Sequence, residues 1–303
     1  MSPTDPIATV VITTKNRKDE LCQALESVSA QTVSLEVLVM DDGSTDGTTE
    51  TVRARFPGVK LIRSDTSHGY IVQRNHGARL ATTPFIFSID DDATYSTPYV
   101  VEQTLADFNG PRIGAVAIPF IEPLKSNQLM QRAPSRDRIW ITDTFIGTAH
   151  ALRRDLFLQL HGYREALVHQ GEERDYCIRM LDYGWVTRLG NSDPIFHNES
   201  PRRDFQRMDY FGRRNDVLFA WHNVPLQRLP VHLAATSFYG VCTAFRVGRF
   251  YSMAAGMFAG YCDCCRRWSE RSPVSKRTYL LHRHLKKGGP LPFDDIVLGN
   301  GLP

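Results

Sequence analysis

The stretch Phe85-Ile86-Phe87-Ser88-Ile89-Asp90-Asp91-Asp92 joins a short apolar run to three consecutive carboxylates. The run is aromatic and β-branched and is introduced by Pro84, which reads as a buried β-strand. Three carboxylates at its end cannot pack in a core. Like charges that close either raise one another's pKa or take a cation between them. A hard divalent cation with oxygen ligands answers that need. Open α/β sheets also bind ligands beyond the carboxyl ends of their strands. The stretch therefore predicts a strand end that carries a metal and phosphate site.

Outward from it, strand and helix patterns alternate. Strands are predicted at Ala8–Thr13, Leu35–Asp41, Val59–Ser64 and Ile113–Ile118, and helices at Asp19–Ala30, Thr45–Phe56, Tyr70–Ala81 and Pro98–Phe108. This order argues for an α/β fold built on a mostly parallel, doubly wound sheet. The loops Thr13-Thr14-Lys15-Asn16-Arg17, Asp41-Asp42-Gly43-Ser44 and Asp90-Asp91-Asp92 then converge on one sheet edge. From Glu122 to Arg138 the chain is polar, with Pro123 and Pro134, and reads as a mobile loop over the site. A short strand is predicted at Thr144–Thr148. Helices follow at Glu172–Tyr183, stopped by Gly184, and at Asp204–Trp221. Beyond Pro225 the apolar pieces are helical in length, and Pro290 and Pro292 mark a loose tail.

The chain has 303 residues, 42% hydrophobic and 23% charged, which suits a globular enzyme. A net charge of +3 gives no ground for bulk polyanion binding, so nucleic acid is not an expected partner. The basic residues cluster late, at 202–214 and 266–287, which points to anionic ligands or a membrane surface there. The six cysteines form no disulfide framework. Cys262-Asp263-Cys264-Cys265 lacks the second pair a zinc site needs, so reduced thiols in a cytoplasmic protein are expected. Ile7–Ile12 is too short for a secretory leader. The apolar stretch Leu229–Phe245 is interrupted by His232 and followed by Arg246 and Arg249, so it does not read as a membrane span.

Five groups of residues are candidates for chemistry. In Asp41-Asp42-Gly43-Ser44-Thr45-Asp46-Gly47, Gly43 supplies a turn and Ser44 or Thr45 an N-cap. Capping does not require two acids before the glycine, and a carboxylate there can accept the imide N–H of uracil or thymine. Asp90-x-Asp92-x-Thr94 has a second reading, the aspartyl-phosphate nucleophile of haloacid-dehalogenase-like phosphatases. That motif normally sits on the first strand of its domain, whereas three strands precede this one. Glu172, Glu173 and Asp175 open a helix, where acids favour the macrodipole; Glu173 needs only a pocket to act as general base. Arg179, four residues after Asp175, completes a structural pair. His197 follows the apolar pair Ile195-Phe196 as a metal or diphosphate ligand candidate. Arg202, Arg203, Arg213 and Arg214 are either a solvated helix face or contacts for acceptor or phosphate.

Taken together these residues resemble the family 2 glycosyltransferases of the GT-A fold. The carriers are Thr13-Thr14-Lys15-Asn16-Arg17, Val39-Met40-Asp41-Asp42-Gly43-Ser44-Thr45-Asp46-Gly47, Arg74-Asn75-His76-Gly77, Asp90-Asp91-Asp92 and Gly171-Glu172-Glu173-Arg174-Asp175, in the family's order across residues 7–222. The resemblance implies a nucleotide-sugar-binding and catalytic domain over 1–222 and a helical C-terminal extension over 223–303. It implies a donor site of Thr13, Lys15, Arg17, Asp42, Arg74, Asn75, Asp90 and Asp91, with Asp42 reading the pyrimidine and Asp90 on the ribose side. Asp92 and His197 would ligate Mg2+ or Mn2+. Glu173 aligns with the base, usually Asp, so Glu172 and Asp175 stay as alternates. The processive Gln-x-x-Arg-Trp pattern is missing, since Arg266-Arg267-Trp268 lacks its Gln. The expected activity is inverting transfer of one sugar from a UDP- or dTDP-sugar to a glycan, lipid-linked or small-molecule acceptor. A phosphatase built on Asp90 and Asp92, and a non-catalytic nucleotide-sugar-binding module, are the alternatives. The extension suits a lid on the acceptor cleft, a homodimer contact or peripheral membrane association.

Overall fold

Strand β1 (Ala8–Thr14), helix α1 (Lys18–Ser29), β2 (Leu35–Asp41), α2 (Thr48–Arg55), β3 (Lys60–Arg63), α3 (Tyr70–Leu80) and β4 (Phe85–Asp90) alternate as the apolar periodicities require. The computed structural model describes residues 5–110, 112–199 and 204–300. These first four strands pair in parallel in the order β3-β2-β1-β4. Val10, Ile12, Phe87 and Ile89 are fully buried with Val11 and Ile86 on the other face, which is why β1 and β4 read as unbroken apolar runs.

The chain continues through β5 (Ala93–Tyr95), α4 (Val100–Ala106), β6 (Ile113–Ala117), β7 (Phe120–Glu122), β8 (Ser126–Met130), β9 (Trp140–Thr142), β10 (His150–Arg153), α5 (Arg154–Gln159), α6 (Glu172–Asp182), β11 (Val186–Leu189) and β12 (Ile195–His197). It ends in α7 (Phe205–Asn223), α8 (Leu229–Val247), α9 (Phe250–Arg266), α10 (Lys276–Gly288), β13 (Leu291–Pro292) and α11 (Phe293–Asn300). The main sheet has nine strands in the order β13-β9-β11-β6-β10-β4-β1-β2-β3, and β5-β12-β7-β8 form a second sheet of four. β10 lies antiparallel between β4 and β6, and β9 and β13 are antiparallel too. The parallel character is thus concentrated in the half of the sheet that ends at Asp41 and Asp90.

Four local expectations are corrected. Residues 122–138 are not one mobile loop: β8 pairs antiparallel with β7, and it reads polar because it is the outer strand of the small sheet. The strand expected at Thr144–Thr148 lies instead at His150–Arg153; Gly147 sits in a turn closed by Ala149 N donating to the Ile146 carbonyl at 3.0 Å. Helix α2 starts at Thr48 rather than Thr45. Gly47, at φ 84°, turns the chain first, so Asp46 rather than Ser44 or Thr45 accepts the Thr48 N–H, at 3.1 Å. Pro290 and Pro292 do not end a loose tail, because β13 adds to the edge of the main sheet, where a missing N–H costs no ladder bond. The 222/223 division falls in the last turn of α7, and the segment beyond it returns to the sheet through β13.

Candidate functional site

The carboxyl ends of β1, β2 and β4 open into a cavity of about 900 Å³. Thr13, Thr14, Lys15 and Arg17 line it from β1, Asp42 from β2, and Asp90, Asp91 and Asp92 from β4. Glu172 and Glu173 from the start of α6, and Glu122, His197 and Glu199 from the second sheet and its exit, complete the lining. Parallel pairing sets this arrangement: Thr13 is in register with both Met40 and Asp90, so the three acidic or polar loops must emerge together.

The triple aspartate divides its work. Asp90 accepts from Arg74 Nη2 at 2.6 Å. Asp91 is buried; it accepts from Thr14 Oγ1 at 2.8 Å and from Arg17 Nη1 at 3.2 Å. Burial pushes its carboxyl up to about 7 against the opposing pull of Arg17. Asp92 Oδ2 meets the same Arg17 nitrogen at 2.5 Å. Burial acts to raise Asp92, but His197 and Arg17 outweigh it and hold the group below the usual carboxylate range. His197 Nε2 stands 3.3 Å from Asp92 Oδ1, and its own basicity is raised by Asp92 and Asp90 in spite of burial.

A divalent cation fits these residues. Ligand atoms of Asp90, Asp92 and His197 lie within 4.8 Å of one another, as do those of Glu122, His197 and Glu199. Asp92 Oδ1 and His197 Nδ1 are buried with only long ion-pair contacts, to the His197 ring at 3.3 Å and to Glu122 Oε1 at 3.4 Å, and neither makes a well-formed hydrogen bond, which is costly unless something binds them. Carboxylate oxygens with one imidazole suit Mg2+ or Mn2+. No cysteine joins either group.

Arg74 is the electrostatic hub. Only 6% of its side chain is exposed, and it pairs with Asp90 and, at 3.2 Å, with Glu172 while lying 4.8 Å over the Tyr70 ring. Burial and the neighbouring Glu173 push Glu172 up to about 8, in spite of Arg74. Burial also raises Glu173. Glu173 reaches the cavity beside Gly147, where any Cβ would come 2.7 Å from its Oε1. The loop before α6 is strained: Val168, β-branched, has φ 62°, and His169 N reaches back to the Leu167 carbonyl at 2.6 Å. Asn215 of α7 holds this loop, its Nδ2 lying 2.8 Å from the carbonyls of Leu167, His169 and Gln170.

Several sequence candidates are placed elsewhere or differently. Asp42 lines the cavity, but all its acceptor positions are taken by Ser67 Oγ, the His68 and Gly69 amides and Gln73 Nε2, at 2.5 to 3.0 Å. Those bonds outweigh burial and lower its pKa. Asn75 faces away from the cavity and clasps the backbone of Tyr163. Asp175 is buried between Arg164 and Arg179 and donates nothing to the cavity wall. Arg213 and Arg214 pair with Asp216 and Asp263 rather than lining it. Arg202 and Arg203 lie outside the described residues. Tyr70, Gly147, Thr148, His169, Gln170, Arg207 and Met208 line the cavity and were not singled out as site residues, although the basic run that includes Arg207 was noted. None of them sits in a pattern that sets it apart from its neighbours.

The glycosyl transferase family 2 model matches residues 9–160. An uncharacterized glycosyltransferase of Haemophilus influenzae is 26% identical over 201 residues, covering 61% of this chain and 66% of that protein. The chain spans 28% to 66% of the length of the first three curated relatives it matches, less than two thirds in each case. Mannosyltransferase PcManGT from Pyrobaculum calidifontis, in complex with GDP-Man and Mn2+, has a TM-score of 0.59 at 19% identity and covers 86% of both chains. S. aureus TarS 1-349, in complex with UDP-GlcNAc, has a TM-score of 0.64 at 14% identity over 92% of this chain and 87% of that one. At these identities the likeness establishes the GT-A fold.

Proposed function

The chain belongs to glycosyl transferase family 2, and we propose that it moves one sugar from a UDP- or dTDP-sugar to an acceptor hydroxyl with inversion. The observation that carries this reading is the convergence of a cation-ready set and a separate acid on one cavity. Asp90, Asp92 and His197 form the cation-ready set, and Glu173 lines the same cavity beside Arg74, the residue that also holds Asp90. A divalent cation held by Asp92 and His197 would neutralise charge growing on the departing diphosphate as a Lewis acid.

The remaining roles fall to the chain itself. Glu173, raised by burial, takes the proton of the acceptor hydroxyl as that oxygen attacks carbon 1 from the face opposite the diphosphate. One such displacement inverts the anomeric centre. Arg74 positions rather than reacts, holding Asp90 and Glu172 in place. Glu172 is fully buried against Tyr70 and Arg74, and Asp175 is locked between two arginines, so Glu173 is the base among the three. Asp42 reads a pyrimidine imide only by exchanging one donor it already holds; the Ser67 hydroxyl is the one free to rotate away. Thr13, Lys15, Arg17 and Asp91 line the same cavity. Residues 1–222 hold this machinery, and the segment 223–303 contributes the surface discussed below.

The test is transfer from UDP- and dTDP-sugars with Mn2+. Asp92→Ala is expected to lose donor hydrolysis and transfer. Glu173→Gln is expected to lose transfer while keeping donor binding. Transfer retained in Glu173→Gln moves the base elsewhere. Phosphate release from aryl phosphates that depends on Asp90 would favour the phosphatase reading instead.

A further inference from the structure

We propose that the hairpin of α8 and α9 docks on an anionic lipid bilayer and sets the cavity mouth at that surface, so that the acceptor is a membrane-anchored amphiphile. The acceptor class rests on the transferase reading above; the docking does not.

Helix α8 is amphipathic the wrong way round for a free-standing protein. Among its exposed positions, Val231, Ala234, Ala235, Phe238, Val241 and Phe245 form an apolar stripe at three- and four-residue spacing, flanked by exposed Tyr239 and Cys242 and ended by Arg246. Phe238 is 73% exposed and Phe245 72%; on α9, Phe258 is 73% exposed and Tyr251 90%. The inner side of the hairpin is already satisfied. Gly256 and Gly260 let α9 press on the α7 backbone at Tyr210 and Arg214, where a Cβ has no room. The outward apolar face is therefore not covered by any of the described residues, and a patch of this kind marks a contact surface.

Charge selects the partner. No Asp or Glu occurs between Asp216 and Asp263, while Arg228, Arg246 and Arg249 do. Arg228 precedes the apolar stripe and Arg246 follows Phe245 at its other end, both exposed. Two copies pairing α8 antiparallel about a two-fold axis would set Arg228 of one against Arg246 of the other, with no acid to answer them. Anionic headgroups answer both ends, and aromatic side chains suit the layer beneath. No described helix is long and apolar enough to cross a membrane, so the hairpin lies on the surface.

The hairpin turn adjoins the cavity. Arg249 lies 4.9 Å over the Phe205 ring and pairs with Asp209, while Arg207 and Met208, between those two residues, line the cavity. A bilayer against Phe245 and Tyr251 would thus lie beside the α7 turn whose Arg207 and Met208 line the cavity, which is where an anchored headgroup would present its hydroxyl.

The full chain is to be sedimented with phosphatidylcholine vesicles and with vesicles that also contain phosphatidylglycerol. Binding to the anionic vesicles, weakened by salt and by Arg246→Glu, is expected. The exposed triple variant Phe238→Ser, Phe245→Ser, Phe258→Ser is expected to bind at least about tenfold more weakly with an unchanged thermal melt. Failure to bind anionic vesicles, equal binding to neutral ones, or undiminished binding by the triple variant overturns the proposal. So does a dimer, seen by light scattering and dissolved by the triple variant, in protein that ignores vesicles. UDP binding with Mn2+, measured on the same samples, separates the two readings. Nucleotide binding without vesicle binding sinks the docking alone; vesicle binding without nucleotide binding sinks the transferase site alone.

Discussion

Gly147→Ala adds one methyl group at the point where the proposed base and the electrostatic hub meet. Built on the existing backbone, the new Cβ lies 2.7 Å from Glu173 Oε1, 2.9 Å from Arg74 Nη1 and 3.3 Å from Arg74 Nη2. Arg74 cannot yield cheaply, because Asp90 at 2.6 Å and Glu172 at 3.2 Å hold its guanidinium. Glu173 is the softer neighbour, and its carboxylate must retreat by about 0.7 Å to reach an ordinary contact. Gly147 does not use a positive φ, so alanine meets no backbone penalty there. Overpacking of this size costs about 1–3 kcal/mol of stability, which leaves the protein folded. A base displaced on this scale lowers kcat by about 10- to 100-fold, the upper figure corresponding to about 2.7 kcal/mol of barrier. Donor binding is expected to change less than kcat, since the atoms nearest the new methyl belong to Glu173 and Arg74 and none to Asp92 or His197. The assay is steady-state transfer with the donor titrated, alongside calorimetry of UDP with Mn2+. A kcat within about twofold of the parent, in protein that melts normally, refutes the placement of Glu173 at the reacting hydroxyl.

Arg74→Met removes the partner of two acids and is expected to cost about 3–5 kcal/mol in chemical denaturation above pH 8, where Glu172 is ionised; a loss below about 1 kcal/mol would mean the network is not held by this residue. The folded pKa of Glu172, about 8, lies above its ordinary value of 4.5, so its contribution to stability is complete below that ordinary value and is lost as pH rises through about 8. Melting temperature should accordingly fall across that window in the parent and less steeply in Glu172→Gln; parallel slopes contradict the assignment. Ser67→Ala vacates one acceptor position on Asp42 and is expected to tighten UDP binding severalfold, whereas unchanged affinity would show that Asp42 does not read the base.

What the sequence discloses is what charge and periodicity force. A run such as Phe85–Ile89 ending in three carboxylates has one stable placement, and the parallel partners β1 and β2 follow from their own apolar periods. The start of α6 was legible because acids cluster at a helix N-terminus. Other features depend on contacts far apart in the chain. Nothing near Asp42 announces that the 66–69 turn will saturate it, and nothing near Asn75 shows that it will clasp Tyr163. Ile146-Gly147-Thr148 reads as strand because Ile146 and Thr148 are β-formers, yet the glycine is there to make room for Arg74 and Glu173. The basic run of α7 reads as one patch, and Arg207 and Arg214, two turns apart, do share a helix face; what separates them is where along the helix they fall, Arg207 beside the cavity and Arg214 against Asp263. The γ-turn at Val168 is held by Asn215, forty-odd residues on, and no local pattern encodes it.

The central claim is that the acidic end of β4 binds a cation that answers the charge of a nucleoside diphosphate. The direct measurement is calorimetry of UDP, and of dTDP in parallel, against the full chain with and without Mn2+. Binding by one of the two that requires Mn2+ in the parent and disappears in Asp92→Ala is the predicted result. Equal binding with and without the metal, or metal-dependent binding that survives Asp92→Ala, would contradict it.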